Sequence, residues 1–452
     1  MADVPMPPGP HDWLPFRLAA RFYRNPAGFL LEIAREYGDI AQVKLGGQHI
    51  VLLNHPDLIQ DVLVTHNHNF VKTQTHTIRI LGPGLLGSEG DFHLRQRRTL
   101  QPLFLRDRVA HHGTAIVDYS ERRADSWQDG ASLKVFDEML ALTQAIVGKT
   151  LFDSDVEADS ARISRLMHQA LTSGYFIHRL PFARYLEQLP LPGVRRFNEA
   201  CSELHAFVQK LIDEHRQTGK DRGDILSLML RLREEKGPQD FLTDELIRSQ
   251  TLTLFVAGHE TTAAALTWCW YHIARNPEVE AKLHEELDRV LGDRLPTTAD
   301  MPNLPYTEMV FAEAMRLCPP VYLMARESLA EHTLGGYTFP AKTLFLVSTF
   351  VQHHDPRYFP EPERFLPERL SHAARAKLHR FAYFPFGGGP RQCIGEPFAW
   401  LEGVLILATL ARRWRFRAVT DRPADVLMLT TYQPRDGLPM KLEKRQRKGT
   451  QA

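Results

Sequence analysis

The sequence predicts a mainly α-helical protein carrying small β-sheets. Three observations carry that prediction. Helical periodicity dominates from about Asp91 to Arg316. Alternating, β-branched runs are confined to regions near the two ends, about 38–70, 325–352 and 424–443. And one long segment, "TDELIRSQTLTLFVAGHETTAAALTWCWYHIARNP", is apolar on nearly all sides, as expected of a helix through the centre of a core.

The totals agree. The chain has 452 residues, 43% hydrophobic and 24% charged, which is ordinary globular composition. At roughly 100–200 residues per domain, that length gives two or three domains as the naive count, or one large domain, with room for a substantial core and a buried cavity. A net charge of +1 argues against nucleic acid or an anionic membrane as the main partner. The four cysteines (Cys201, Cys269, Cys318, Cys393) lie far apart with no CxxC pair, which fits a reducing, cytoplasmic compartment. The opening "MADVPMPPGPHDWLPF" has neither a signal-peptide core nor a membrane span.

In chain order, a Pro-rich entry leads to a helix ending near Gly38. "AQVKLGGQHIVLL" reads as a hairpin turning about Gly46-Gly47. The long segment starts at a capping Thr243 and stops before Pro277, so Thr243 to Arg275 would extend about 50 Å as one helix. Its middle, "AGHETT", is a polar break that needs partners, because unpaired polar groups in a core are costly. Strand-like runs return at "YTFPAKTLFLVSTF" and near "VLMLTTY". The residues from about 443 to 452 read as a basic, frayed tail. There is no internal repeat.

Two motifs are decoys. "GPGLLG" matches GxGxxG, but Pro83 fills a variable position and no strand–turn–helix context surrounds it. "HETTA" begins like HExxH, but Ala263 stands where the second zinc-ligating histidine belongs.

"FPFGGGPRQCIGEPFAWLEG" (Phe384 to Gly403) is different. A free cysteine is most often a small buried hydrophobe. Here three glycines allow a flat ligand to lie against the loop, and Arg391 supplies positive charge. The helix that follows turns its N-terminal dipole back toward Cys393. Together these favour a low-pKa thiolate, fit for nucleophilic attack or for metal ligation. No histidine base lies in this segment, although distant histidines keep the nucleophile reading open.

Phe386-x-x-Gly389-x-Arg391-x-Cys393-x-Gly395 resembles the haem-binding signature of the cytochrome P-450 family, soluble bacterial type. "EAMR" (Glu313 to Arg316) is similar to the family's ExxR pair, "AGHETT" to its central-helix motif, and "FLPERL" to its PERF segment, with Leu370 in place of phenylalanine. The order and spacing agree from the hairpin to the final strands. The resemblance implies the family's fold as a single catalytic domain over 1–452, with haem b between the long helix and the cysteine loop, and Cys393 as axial iron ligand.

It implies further roles. Phe386, Arg391 and Gly395 belong to the haem loop, and His93, Arg97 and Arg326 fall at propionate-binding positions. Glu313 and Arg316 share a helical face and would form a buried triad with Arg369, favoured over Arg364 by its spacing to Cys393. Gly258 would leave room for dioxygen, and Glu260 and Thr261 would relay protons during its activation; a hydroxyl bonded one turn back is the bland alternative for Thr261. The implied reaction is RH + O₂ + two electrons + two protons → ROH + H₂O.

Pocket positions implied by the resemblance are Ile80, Leu85, Leu254, Ala257, Gly258, Tyr322, Leu323 and Thr431. Their mainly apolar character suits a hydrophobic substrate such as a fatty acid, terpenoid or steroid, and Arg79 is a candidate carboxylate anchor. NAD(P)H electrons would arrive only indirectly, through a ferredoxin- or flavodoxin-type donor and its reductase. Arg95, Arg98, Arg375, Lys377 and Arg380 could offer that donor a basic face, with a monomer expected. The competing readings are a haem-thiolate isomerase or peroxygenase, which the Glu260–Thr261 pair disfavours, and a non-catalytic haem sensor.

Overall fold

The computed structural model describes residues 6–10, 15–45, 48–73, 80–178, 189, 191–219, 221–237 and 241–446. The chain divides into two compact units, Met1–Thr73 with Pro305–Cys393, and Gln74–Leu304 with Ile394–Ala452.

In the first unit, the helix ending at Gly38 spans Pro26–Tyr37. Asn25 caps it by accepting the Gly28 N–H at 3.0 Å, and Gly38 leaves it at φ 83°. A second helix, Pro15–Arg24, precedes it within the Pro-rich entry. The hairpin pairs Ile40–Leu45 with Gln48–Leu53 in antiparallel register, Val43 opposite Ile50; its Gly46-Gly47 turn lies outside the described residues. Gln48–Leu53 continues parallel to Leu344–Val347, which runs antiparallel to Met324–Ser328, with Phe70–Val71 at the edge.

Both faces of this sheet are buried, and the strand period of two sorts its residues between two cores. Val51, Leu53, Phe345 and Val347 pack with Phe70, Phe339, Phe381 and Phe384. Ile50, Leu52, Leu344 and Leu346 pack with Phe29, Leu30 and Ile33 on the other side. The run "YTFPAKTLFLVSTF" is only partly strand. Ser348 caps a helix, Thr349–His353, by accepting the Val351 N–H at 3.2 Å, and the cap ends the extended run.

In the second unit, the long helix spans Asp244–Arg275, with Thr243 Oγ1 accepting the Leu246 N–H at 3.1 Å. The helix is continuous through "AGHETT", so the break is one of polarity and not of backbone. It packs along the helix Val135–Phe152. A Cβ on Gly258 would lie 3.0 Å from Val147 Cγ2, so close helix packing explains this glycine, whatever room it leaves elsewhere.

A short strand within the helical region, Ser132–Lys134, was not legible in the sequence. It pairs with Pro439–Lys444, which also pairs with Trp414–Ala418. The expected basic tail therefore begins later than 443. Glu443 accepts Arg417 Nε at 2.7 Å inside this sheet, and the buried Arg445 side chain pairs with Asp288. Val426–Met428 and Tyr432–Pro434 form the last hairpin. Among the described residues no helix is long and apolar enough to cross a membrane.

Candidate active site

The cysteine loop belongs to the first unit. Gly387 and Gly389 sit at φ 72° and 69°, in the left-handed region that favours glycine. The Gly387 N–H donates to Phe384 O and the Cys393 N–H to Phe386 O, each at 2.9 Å, so the loop is closed on itself. A Cβ on Gly389 would fall 1.9 Å from Leu63 O, and one on Gly388 2.5 Å from the Phe381 ring. Packing within the unit therefore accounts for two of the three glycines that the sequence suggested were left bare for a ligand. Gly387 meets only Met324 Sδ, at 3.5 Å. Cys393 is exposed and outside any disulfide, with Phe386, Arg391 and Gly395 half-buried around it in sequence. Gly395 is the N-cap residue of the helix Glu396–Ala411.

Beneath the loop lies a buried ion-pair network. Glu313 and Arg316, on the helix Pro305–Leu317, are fully buried. Arg316 donates from Nε and Nη2 to the two carboxylate oxygens of Glu313, each at 2.8 Å. Arg369 Nε stands 3.4 Å from Glu313 Oε1, while Arg364 contributes only its carbonyl to Arg316, at 3.1 Å. The remaining capacity is filled by the Leu366 N–H on Glu313 and by His353 O, which accepts Arg316 Nη1 at 2.8 Å.

His353 was not singled out from sequence. Its Nε2 accepts the Phe384 N–H at 3.1 Å, so one residue ties the start of the cysteine loop to the ion-pair network. Burial holds its imidazole well below the usual range, in the neutral form that can accept that bond. Arg326, on Met324–Ser328, is also buried.

In the second unit, His93 is buried and Arg97 half-buried on the helix Gly90–Leu100, one turn apart. Within "AGHETT", His259 and Thr261 bond to the helix's own backbone and Glu260 to a residue far along the chain. His259 Nδ1 donates to Phe255 O at 2.6 Å, and burial lowers its pKa to about 4. Thr261 Oγ1 donates to Ala257 O at 2.9 Å, the bond expected of a helical threonine. Thr431 Oγ1 donates to Glu260 Oε1 at 2.6 Å. Burial raises the Glu260 pKa, and this hydroxyl opposes the rise.

A second buried acid escaped the sequence reading. Glu402 is fully buried on Glu396–Ala411. Thr262 lies near enough to temper its charge, yet no well-formed hydrogen bond reaches either carboxylate oxygen, and burial pushes its pKa to about 8. A lone acid among "WLEGVLIL" at helical spacing was the available signal.

The expected pocket residues divide between the units. Leu254, Ala257, Gly258 and Thr261 recur at i, i+3, i+4 and i+7, on one face of the long helix. Ile80 is buried, and the Leu85 N–H donates to Gln250 Oε1 at 3.0 Å. Thr431, expected only as lining, is the partner of Glu260. In the other unit, Tyr322 is buried and its carbonyl accepts Ser348 Oγ at 2.8 Å, while Leu323 packs against the sheet core. Arg79 lies outside the described residues. Of the basic candidates, Arg375 is paired with Glu308, and Arg380 donates to Gln392 at 2.8 Å; Lys377, Arg95 and Arg98 are exposed.

The donor set fits a haem. Within the first unit, one thiol stands on a loop closed on itself, two residues from Arg391, and the basic Arg326 is buried. One metal ligand with two cations matches an iron flanked by carboxylates.

Comparison with known proteins agrees. The "Cytochrome P450" family profile matches residues 7–436. Cyclooctatin synthase of Streptomyces melanosporofaciens is 36% identical over 417 residues, covering 90% of each chain. Cyclooctat-9-en-7-ol 5-monooxygenase of the same organism is 37% identical, covering 88% of this chain and 86% of that one. Pentalenene oxygenase of Streptomyces avermitilis is 33% identical, covering 92% and 93%. A crystal structure of a cytochrome P450DA heme domain superposes with a TM-score of 0.87 over 98% of both chains at 23% identity, a likeness of fold. From the cysteine loop, the buried Glu313–Arg316 pair and these matches, the chain belongs to the cytochrome P-450 family and is a haem-thiolate monooxygenase.

Proposed function

We propose that the protein hydroxylates a terpenoid, using dioxygen and electrons from a separate ferredoxin- or flavodoxin-type donor. The observation that carries this reading is the set of relatives aligned over most of the chain, whose names specify cyclooctat-9-en-7-ol and pentalenene as substrates. The apolar face of the long helix, Leu254, Ala257 and Gly258, supports it, because a hydrocarbon skeleton offers mainly apolar area to bind.

Cys393 would ligate the haem b iron, with Phe386 and Gly395 completing the loop and His93, Arg97, Arg326 and Arg391 holding the propionates. Bound haem supplies a thiolate-ligated iron that activates dioxygen for insertion into a C–H bond. The chain's own contribution is positioning and proton supply. Glu260 holds its carboxylate against Thr431 Oγ1, and Thr261, next in sequence, presents a hydroxyl that can leave Ala257 O to pass a proton. Glu260 itself is buried, so a proton it passes would travel through its hydroxyl neighbours.

The test is a spin-state titration of the purified holoprotein with di- and sesquiterpene alcohols against fatty acids and steroids. Turnover with a surrogate ferredoxin and reductase under ¹⁸O₂ then follows. A terpenoid-selective shift and one ¹⁸O atom per product support the proposal. A shift only with fatty acids overturns the substrate class, and turnover needing only peroxide overturns the electron source. A reduced, CO-bound spectrum of wild type and Cys393→Ser tests the axial ligand separately.

A further inference from the structure

Asp61, His66 and His332 converge in the first unit, outside the residues assigned to the haem. His66 Nδ1 lies 2.8 Å from Asp61 Oδ2, and His332 Nε2 lies 2.8 Å from Asp61 Oδ1. The donor atoms of all three residues fall within 4.8 Å of one another. Two imidazoles and a carboxylate are the donor set of an open zinc centre, in which water takes the fourth position.

The backbone arranges this convergence by unusual means. Asp61–Thr65 is a π-helical turn, and the His66 N–H donates to Asp61 O at 2.8 Å. In an α-helix a residue five positions on points about 140° away. The wider π turn brings Asp61 and His66 toward one face, and such turns gather at functional sites. His332 arrives from a strand far along the chain. Its approach is fixed by Asn69, whose Oδ1 accepts the Ala330 N–H at 3.1 Å and whose carbonyl accepts the Leu329 N–H at 2.8 Å. The His66 side chain is 46% exposed and His332 10%, so the cluster has one wet side for entry and for a water ligand.

We propose that Asp61, His66 and His332 bind a divalent transition metal of the zinc class, bracing the π turn against the His332 strand. The brace bears on the cysteine loop, because the same turn carries Leu63, whose carbonyl sits against Gly389. Binding replaces the two imidazole N–H bonds to Asp61 by metal bonds, moving each ring proton to its other nitrogen. At His332 that nitrogen, Nδ1, faces the Asn69 amide nitrogen at 3.5 Å, so Asn69→Asp would supply the missing acceptor.

The test is isothermal titration of chelator-treated holoprotein with zinc chloride, metal content being checked after dialysis. One zinc per chain is expected, weakened at least tenfold by Asp61→Asn, His66→Gln or His332→Gln, and tightened by Asn69→Asp. Zinc should also raise the melting temperature of wild type and of Asn69→Asp, and raise it less in the three ligand variants. His66→Gln, at a half-exposed position, decides the matter if either other variant misfolds. No stoichiometric zinc, or zinc unaffected by all three substitutions, leaves a hydrogen-bonded bridge only and overturns the proposal.

Discussion

Glu260 and Glu402 illustrate how much a single buried carboxyl depends on its one neighbour. Thr431 stabilises the charged form of Glu260, so Thr431→Val should raise the Glu260 pKa further. If ionised Glu260 serves proton delivery, the acid limb of the kcat/KM profile moves to higher pH; an unmoved limb would separate Glu260 from the rate. Thr261→Ala should lower product formation by roughly 10²-fold, with oxidase leakage to peroxide rising instead. For Glu402 the consequence is stability. Unfolded, it ionises near 4.5; folded, near 8, so the native state holds the extra proton between these values. Its contribution to stability therefore falls as pH rises from about 4.5 to about 8. Glu402→Gln should flatten that fall, seen as a smaller drop in melting temperature from pH 6 to pH 9 than wild type shows.

At the scale of elements, the cysteine loop is held from outside by its packing. Gly389→Ala would drive a Cβ into Leu63 O at 1.9 Å and strain a positive φ besides. The expected result is normal helix content by far-ultraviolet dichroism with haem per chain reduced several-fold; full haem occupancy would show that the loop can shift at little cost. His353→Ala should act in the same direction and more mildly, because it removes the acceptor of the Phe384 N–H but leaves its own carbonyl on Arg316. The long helix was readable end to end, since its Thr243 cap and the following Pro277 are local signals. The strand Ser132–Lys134 was not, because three residues carry no period and gain their pairing only from Pro439–Lys444.

Across the whole molecule, Glu313, Arg316 and Arg369 join a helix to a turn more than forty residues away, and the Glu313 and Arg316 side chains at its centre are fully buried. Glu313→Gln leaves Arg316 buried and undercompensated, which should cost about 3–5 kcal/mol. Loss of soluble, haem-loaded protein is the expected outcome, and a melting temperature close to wild type would refute it. The sequence by itself determined the family, the helical fold class, the choice of Cys393 as the candidate ligand and the pairing of Glu313 with Arg316. Each is written in short-range spacing: glycines and an arginine beside one cysteine, two charges a helical turn apart, a capped apolar run. Only the tertiary structure decided that Thr431 serves Glu260, that Glu402 is buried without a full partner, that His353 joins the loop to the ion pairs, and that Asp61 meets His332. Those contacts join residues distant in the chain, and a pattern with a period of two or 3.6 residues holds no information about which distant segment will arrive.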